Sequence, residues 1–388
     1  MSGPAAWAVR GQRLFDGETL VDHPGLVLIQ DGRVTGVDLS GAEPSVDLPV
    51  VDLGDVTLLP GLIDAHVHLV FDPPANIVEQ MASEDDEMVL GRMRVHARQA
   101  LHAGITMVRD LGDRNYLSLA LRQETAGDPQ AGPELLVSGP PITTPQGHCW
   151  FLGGAAAGLG DLRVAVGERL ERRVDVIKVM ATGGSVTPGS SMQDSQYSVD
   201  ELRVIVDIAR DAGKMVTAHA HGGKGIADAV RAGVDGIEHC TFLTATGAAP
   251  DWATVRAIAE GGVFVGVTVG KTGASPRLDS VRAMYSRMRR EGVRLVCSSD
   301  AGVVAQKPHN CLPQVVGEFV NFTEVTAADG LKAVTSLAAR SCGVGDRKGR
   351  IAPGYDADLL AVAGNPARNL DALSDVRAVF RRGRRISL

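Results

Sequence analysis

The pattern of apolar and polar positions changes character twice along the chain. Residues 1–57 carry short alternating runs broken by Gly and Asp, as in "GLVLIQDGRVTGVDL" and "VVDLGDVTLLPG". The Gln30-Asp31-Gly32-Arg33 stretch between two such runs predicts a β-hairpin. From Leu62 onward, short apolar runs alternate with helix-length amphipathic segments. The runs predict strands at 62–68, 106–111, 134–139, 174–181, 215–220, 236–240, 263–269 and 294–300. One intervening segment, "SVDELRVIVDIARDAGK", opens with a Ser-x-x-Glu capping box at Ser198 and Glu201. Eight βα units in sequence predict an α/β fold, a (β/α)8 TIM barrel whose parallel strands are buried on both faces. After Gly349 the strand-like character returns in "GRIAPGYDADLLAVAG" and "VRAVFRRGRRISL". Neither end has the apolar surface for a core of its own. Residues 1–57 and 349–388 therefore pair into one small β-sandwich domain beside a barrel of residues 58–348.

Composition narrows the partners more than the fold. The net charge is −7, and no basic face stands out, which argues against nucleic acid or an anionic membrane. The Arg-Arg-Gly-Arg-Arg run at 381–385 reads as the solvated edge of a terminal strand. No segment offers the roughly 18 consecutive apolar residues of a membrane span, and the first residues lack a signal-peptide layout. The five cysteines form no Cys-x-x-Cys pair, so a reduced, cytoplasmic setting is expected. A small-molecule substrate fits this profile, and a homo-oligomer is compatible with it.

Candidate chemistry gathers where the predicted strands end. "GLIDAHVHL" places His66 and His68 two apart, hence on one face of a strand. Lys178 lies inside the apolar run "DVIKVMATGG", although the chain has only seven lysines. "TAHAHG" carries His219 and His221, "IEHC" carries His239, and "CSSDAG" carries Asp300. Barrel active sites form at the C-terminal ends of the strands, so these residues converge on one mouth. Imidazole and carboxylate suit Zn²⁺ and related ions, and two ions roughly 3.5–4 Å apart clamp a substrate oxygen and activate a water. Such a pair needs an anionic bridge, which histidines do not supply. A desolvated lysine amine does, once it adds CO₂ and becomes a carbamate with two oxygen donors.

The pieces "LLPGLIDAHVHL", "AGITMVRDLG", "DVIKVMATGG", "VTAHAHGGKGIADAVRAGVDGIEH", "SSDAG" and "GRIAPGYDADLLAV" together resemble the metal-dependent amidohydrolase superfamily. The likeness is to its imidazolonepropionase-like, Xaa-Pro dipeptidase-like branch. The resemblance implies a binuclear zinc centre: His66, His68 and Asp300 on one ion, His219 and His239 on the other, and Lys178 as the N6-carboxylysine bridge. It further implies hydrolysis of a C–N bond, in a dipeptide or N-acyl amino acid, by metal-activated hydroxide with Asp300 as general base and then acid. Opening of a cyclic amide or lactone, or deamination of a heterocycle in specialised metabolism, is the alternative. Many superfamily deaminases use one metal and no strand-four lysine, so Lys178 weighs against deamination. An inactive barrel scaffold would hold no metal.

Around this set, "TTPQGHCWFLGG" resembles the family's Gly-His loop, which makes His148 a candidate to polarise the substrate carbonyl. His221 should face the mouth and hold substrate, and Trp150 and Tyr197 are candidate pocket walls. Lys271 reads as a solvated loop lysine, with pairing to a substrate carboxylate as the alternative, and His309 is a candidate to reach the pocket. The Gly/Ser-rich "ATGGSVTPGSSMQDSQYS" has the length of a lid. His23, His96 and His102 receive no role.

Overall fold

The computed structural model describes residues 6–40, 48–72, 76–270 and 275–388. Eight parallel strands stand where the alternation predicts them: Leu62–Val67, Ile105–Asp110, Glu134–Val137, Val176–Met180, Met215–Ala220, Gly236–His239, Phe264–Val267 and Arg294–Cys297. They are called the first to eighth barrel strands below. Every residue of the first, second, fourth and sixth is buried, which is why these runs read as continuously apolar rather than alternating. The first three strands hydrogen-bond as one sheet and the last five as another. Parallel bridges Val67–Ala301 and Ile142–Val179 join the two sheets into a distorted (β/α)8 barrel.

Helices cover the outer face. The helix Val199–Asp211 begins at the capping box, with Ser198 and Glu201 satisfying each other's backbone N–H groups. Leu202, Ile205, Val206 and Ala209 form its buried stripe.

The two chain ends interleave beside the barrel. A six-stranded sheet runs Arg384–Arg385, Val376–Arg381, Leu359–Ala363, Val56–Pro60, Arg13–Phe15, Leu20–Val21, and faces a four-stranded one built around Trp7–Gly11 and Gly25–Gln30. Leu359–Ala363 lies antiparallel to Val56–Pro60, with Leu360 opposite Leu59. Val9, Val27, Ile29, Leu58, Leu359 and Phe380 share one core, so each end supplies what the other lacks. In the hairpin, Asp31 and Gly32 take φ of 52° and 76°, the turn geometry that matches strand twist.

One expectation needs correction. Arg384 and Arg385 are exposed, but Arg381 is buried, and its Nη1 donates to the carbonyls of Thr125 at 2.6 Å and Gly132 at 2.8 Å. Barrel residues far away in sequence cover this arginine, and no local pattern marks which member of the run they reach.

A buried ion cluster joins barrel and appendage. The Lys348 side chain is 2% exposed, lies 3.1 Å from both Glu134 and Asp356, and is bonded to Asp358. Burial pushes Glu134 up, but Lys348 and Arg347 outweigh it and hold this carboxyl at about 2. Glu134 therefore contributes stability above the usual carboxylate range, and that contribution is lost as pH falls towards about 2. Lys348→Ala removes the one cation that reaches Glu134, Asp356 and Asp358 together, and should destabilise the fold by about 3–5 kcal/mol. The check is the urea midpoint at pH 7, where the variant should unfold earlier, with the gap narrowing in acid. Equal midpoints would show that the cluster adds nothing.

Candidate metal centre

At the barrel mouth the first strand delivers His66 and His68 with their Nε2 atoms 3.2 Å apart. Asp300, beyond the eighth strand, brings Oδ1 to 3.4 Å from His66 Nε2 and 3.6 Å from His68 Nε2. His219, His221 and His239 form a second group of donors within 4.8 Å of one another. The His66 and His239 rings are 5.3 Å apart, so the groups adjoin. Asp300 and His239 have φ of 55° and 67°, left-handed backbone that Asp and His adopt more readily than most residues other than glycine.

Hydrogen bonds fix which ring nitrogen is free. His66 Nδ1 donates to Glu238 Oε2 at 3.0 Å, leaving Nε2 as the donor to an ion. Glu238 also accepts from Arg109 Nη2 at 3.0 Å and Thr217 Oγ1 at 2.7 Å. Burial pushes its pKa up, but His66 and Arg109 hold it well below the carboxylate range. Gly266 makes room for this carboxylate, since a Cβ there would lie 2.2 Å from Oε2. His219 Nε2 faces the Gly183 carbonyl at 3.0 Å, and His239 Nδ1 faces Thr268 Oγ1 at 2.7 Å. Burial holds His68, His219 and His239 well below the ordinary imidazole range, so they are neutral and have a lone pair to give.

Lys178 lines the same cavity, of about 210 Å³, as both donor groups. It is 1% exposed, and its Nζ has no hydrogen-bond partner among the described residues. Burial lowers it to about 8, against the pull of Glu238 and Asp300. An unpartnered buried ammonium costs several kcal/mol, which pushes this site towards its neutral amine. The donor set thus fits a pair of divalent ions.

His148 and His221 also line this cavity. Burial lowers both to about 3. Thr187 Oγ1 accepts from the Cys149 N–H at 2.9 Å and lies 3.0 Å from His148 Nδ1, which anchors the ring by that nitrogen. The His221 ring stacks on His239 at 4.5 Å.

Trp150 and Tyr197 are not among the residues lining either cavity at this mouth. The Tyr197 ring is buried in the core and its hydroxyl donates to the Ala156 carbonyl at 2.9 Å. Trp150 is exposed and packs edge-on against Phe151. His309 is likewise absent from both linings. Its ring stacks on His96 at 3.8 Å, and the pair meets the backbone carbonyls of His68 and Leu69. Lys271 lies outside the described residues. The long loop after the fourth strand contributes Ser185, Val186 and Met192 to the cavity wall.

The sequence profile of the amidohydrolase family matches residues 57–386. Ochratoxinase of Aspergillus niger is 27% identical over 370 residues, covering 83% of this chain and 73% of that protein. Imidazolonepropionase of Salinispora tropica is 24% identical over 404 residues, covering 95% of this chain and 91% of that one. The crystal structure of a Xaa-Pro dipeptidase with bound methionine superposes with a TM-score of 0.86 at 26% identity, covering 99% of this chain and 100% of the other. With two groups of metal-type donors at the mouth of such a barrel, the chain belongs to the amidohydrolase family and is a metal-dependent hydrolase acting on a C–N bond of a small molecule.

Proposed function

We propose that this chain is a two-zinc hydrolase of dipeptides or N-acyl amino acids. The observation that carries the reading is the buried amine of Lys178, unpartnered among the described residues, beside two groups of metal-type donors. His66, His68 and Asp300 would hold one ion, and His219 and His239 the other. Lys178 would supply the bridge, once its amine has added to CO₂ and released a proton to give a carbamate whose single negative charge is shared by two oxygens. When bound, the ions supply Lewis acidity and an activated water.

The chain's own groups do the rest. Asp300 takes a proton from the attacking water and returns it to the leaving nitrogen. His148 donates to the developing oxyanion. His221 faces the substrate. Glu238 holds His66 in the tautomer that binds an ion. The similarity to a Xaa-Pro dipeptidase supports a peptide-like amide.

Three results test these roles. Protein prepared with Zn²⁺ should carry about two ions per chain, whereas Lys178→Ala should lose most of them and regain some when a short carboxylic acid is added. Asp300→Asn should keep much of its metal while turnover falls by about 10²- to 10⁴-fold; normal turnover would remove Asp300 from the proton path. Glu238→Gln should weaken zinc affinity by about 10- to 100-fold, and unchanged affinity would leave Glu238 without an orienting role. Screening dipeptides, N-acyl amino acids and cyclic amides decides the substrate class. Full metal occupancy with no turnover of a linear amide would sink the class proposed.

A further inference from the structure

A second cavity, of about 320 Å³, opens beside the metal centre and shares His221, His239, Thr268, Val304 and Lys307 with it. The rest of its wall is mostly hydrocarbon, from Leu243, Leu278, Val281 and Phe322. The hydroxyl of Tyr285 donates to the His239 carbonyl, which fixes this ring as a further wall. An apolar cavity of roughly 150 Å³ is enough to bind benzene. This one therefore has room for a benzyl or branched alkyl side chain with space to spare.

The charges on this wall, among the described residues, are two cations, Lys307 and Arg277. No carboxylate among the described residues pairs with either. Lys307 donates one hydrogen bond to the Thr268 carbonyl at 2.6 Å, which among the described residues leaves two of its three donors unused. Its stem runs close over Gly270, where a Cβ would lie 3.0 Å from Lys307 Cε. Thr268 also holds His239 Nδ1. The ammonium is thus fixed relative to His239 of the metal centre. A cation tied down beside a hydrocarbon wall complements a molecule that is both apolar and anionic.

We propose that this cavity seats an amino-acid unit with a large apolar side chain, whose free carboxylate pairs with Lys307, with Arg277 at the exposed lip. The inference rests on the amide-hydrolase reading above and names the half of the substrate that lies on the His239 side. The enzyme then selects N-acyl derivatives of residues such as phenylalanine or leucine, and rejects glycine and units lacking the carboxylate.

Binding and turnover test it separately. Metal-free protein is titrated calorimetrically with 3-phenylpropanoate, 3-phenylpropanamide and acetate. The phenylpropanoate should bind at least about tenfold more tightly than either of the others. Lys307→Met should erase its advantage over the amide, Lys307→Arg should keep it, and Val281→Trp should erase its advantage over acetate. Equal binding of all three probes by the wild type would overturn the proposal. The zinc-loaded enzyme is then given N-acetylphenylalanine, its N-methylamide and N-acetylglycine, and kcat/KM should favour the first by at least about tenfold. Equal rates on all three would sink the proposal while leaving the amide-hydrolase reading intact. Absence of turnover at full zinc occupancy would sink that reading instead, and the titrations would still decide what the cavity accepts.

Discussion

The constraint on which the metal centre depends is an ionised carboxylate, Glu238, fixed in the middle of a barrel. A lone carboxylate would not stay charged there. It does so because Arg109 of the second strand, Thr217 of the fifth and His66 of the first all donate to it, while Gly266 of the seventh leaves it space. Four strands beyond its own must be in register for this to happen. A slip by one residue turns every side chain of a strand to its opposite face. Strand register and the orientation of a metal-type imidazole are here one physical fact.

Two buried lysines show how far neighbours, rather than burial, decide a charge. Lys178 and Lys348 are almost equally inaccessible, at 1% and 3% exposed. Lys178 has no bonded acceptor among the described residues, and burial lowers it. Lys348 suffers the same desolvation, but Asp358, Glu134 and Asp356 outweigh it and its pKa rises. One is an amine that burial discharges at the mouth, and the other is a cation held by its neighbours in the seam between barrel and appendage.

The barrel was legible because its information is local and periodic. Eight apolar runs of strand length, spaced by helix-length segments, leave few other packings. The donor groups were legible because polar residues at the ends of apolar runs stand out. The same rule, applied to every charged residue inside such a run, also picks out Arg109 in "TMVRD" and Glu238 in "GIEHC". Their pairing with each other, across the second and sixth strands, is not marked by any spacing in the chain. Residues reached through loops were not readable. Tyr197 turns into the core, and His96 meets His309 from more than 200 positions away. Lys307 belongs to the second cavity through its contact with Thr268, which no spacing in the chain announces.

The pairing of Val56–Pro60 with Leu359–Ala363 carries a mechanical consequence. One strand leads directly into the barrel, and the other follows its last helices. A barrel without this seam would have two free ends from which its strands could peel. Here the entry and exit are stitched edge to edge, so neither the first strand nor the final helices can fray without breaking the mixed sheet as well. Local opening is thereby suppressed in favour of cooperative loss. The donors most distant in sequence, His66 and Asp300, sit just inside that stitch and share its rigidity.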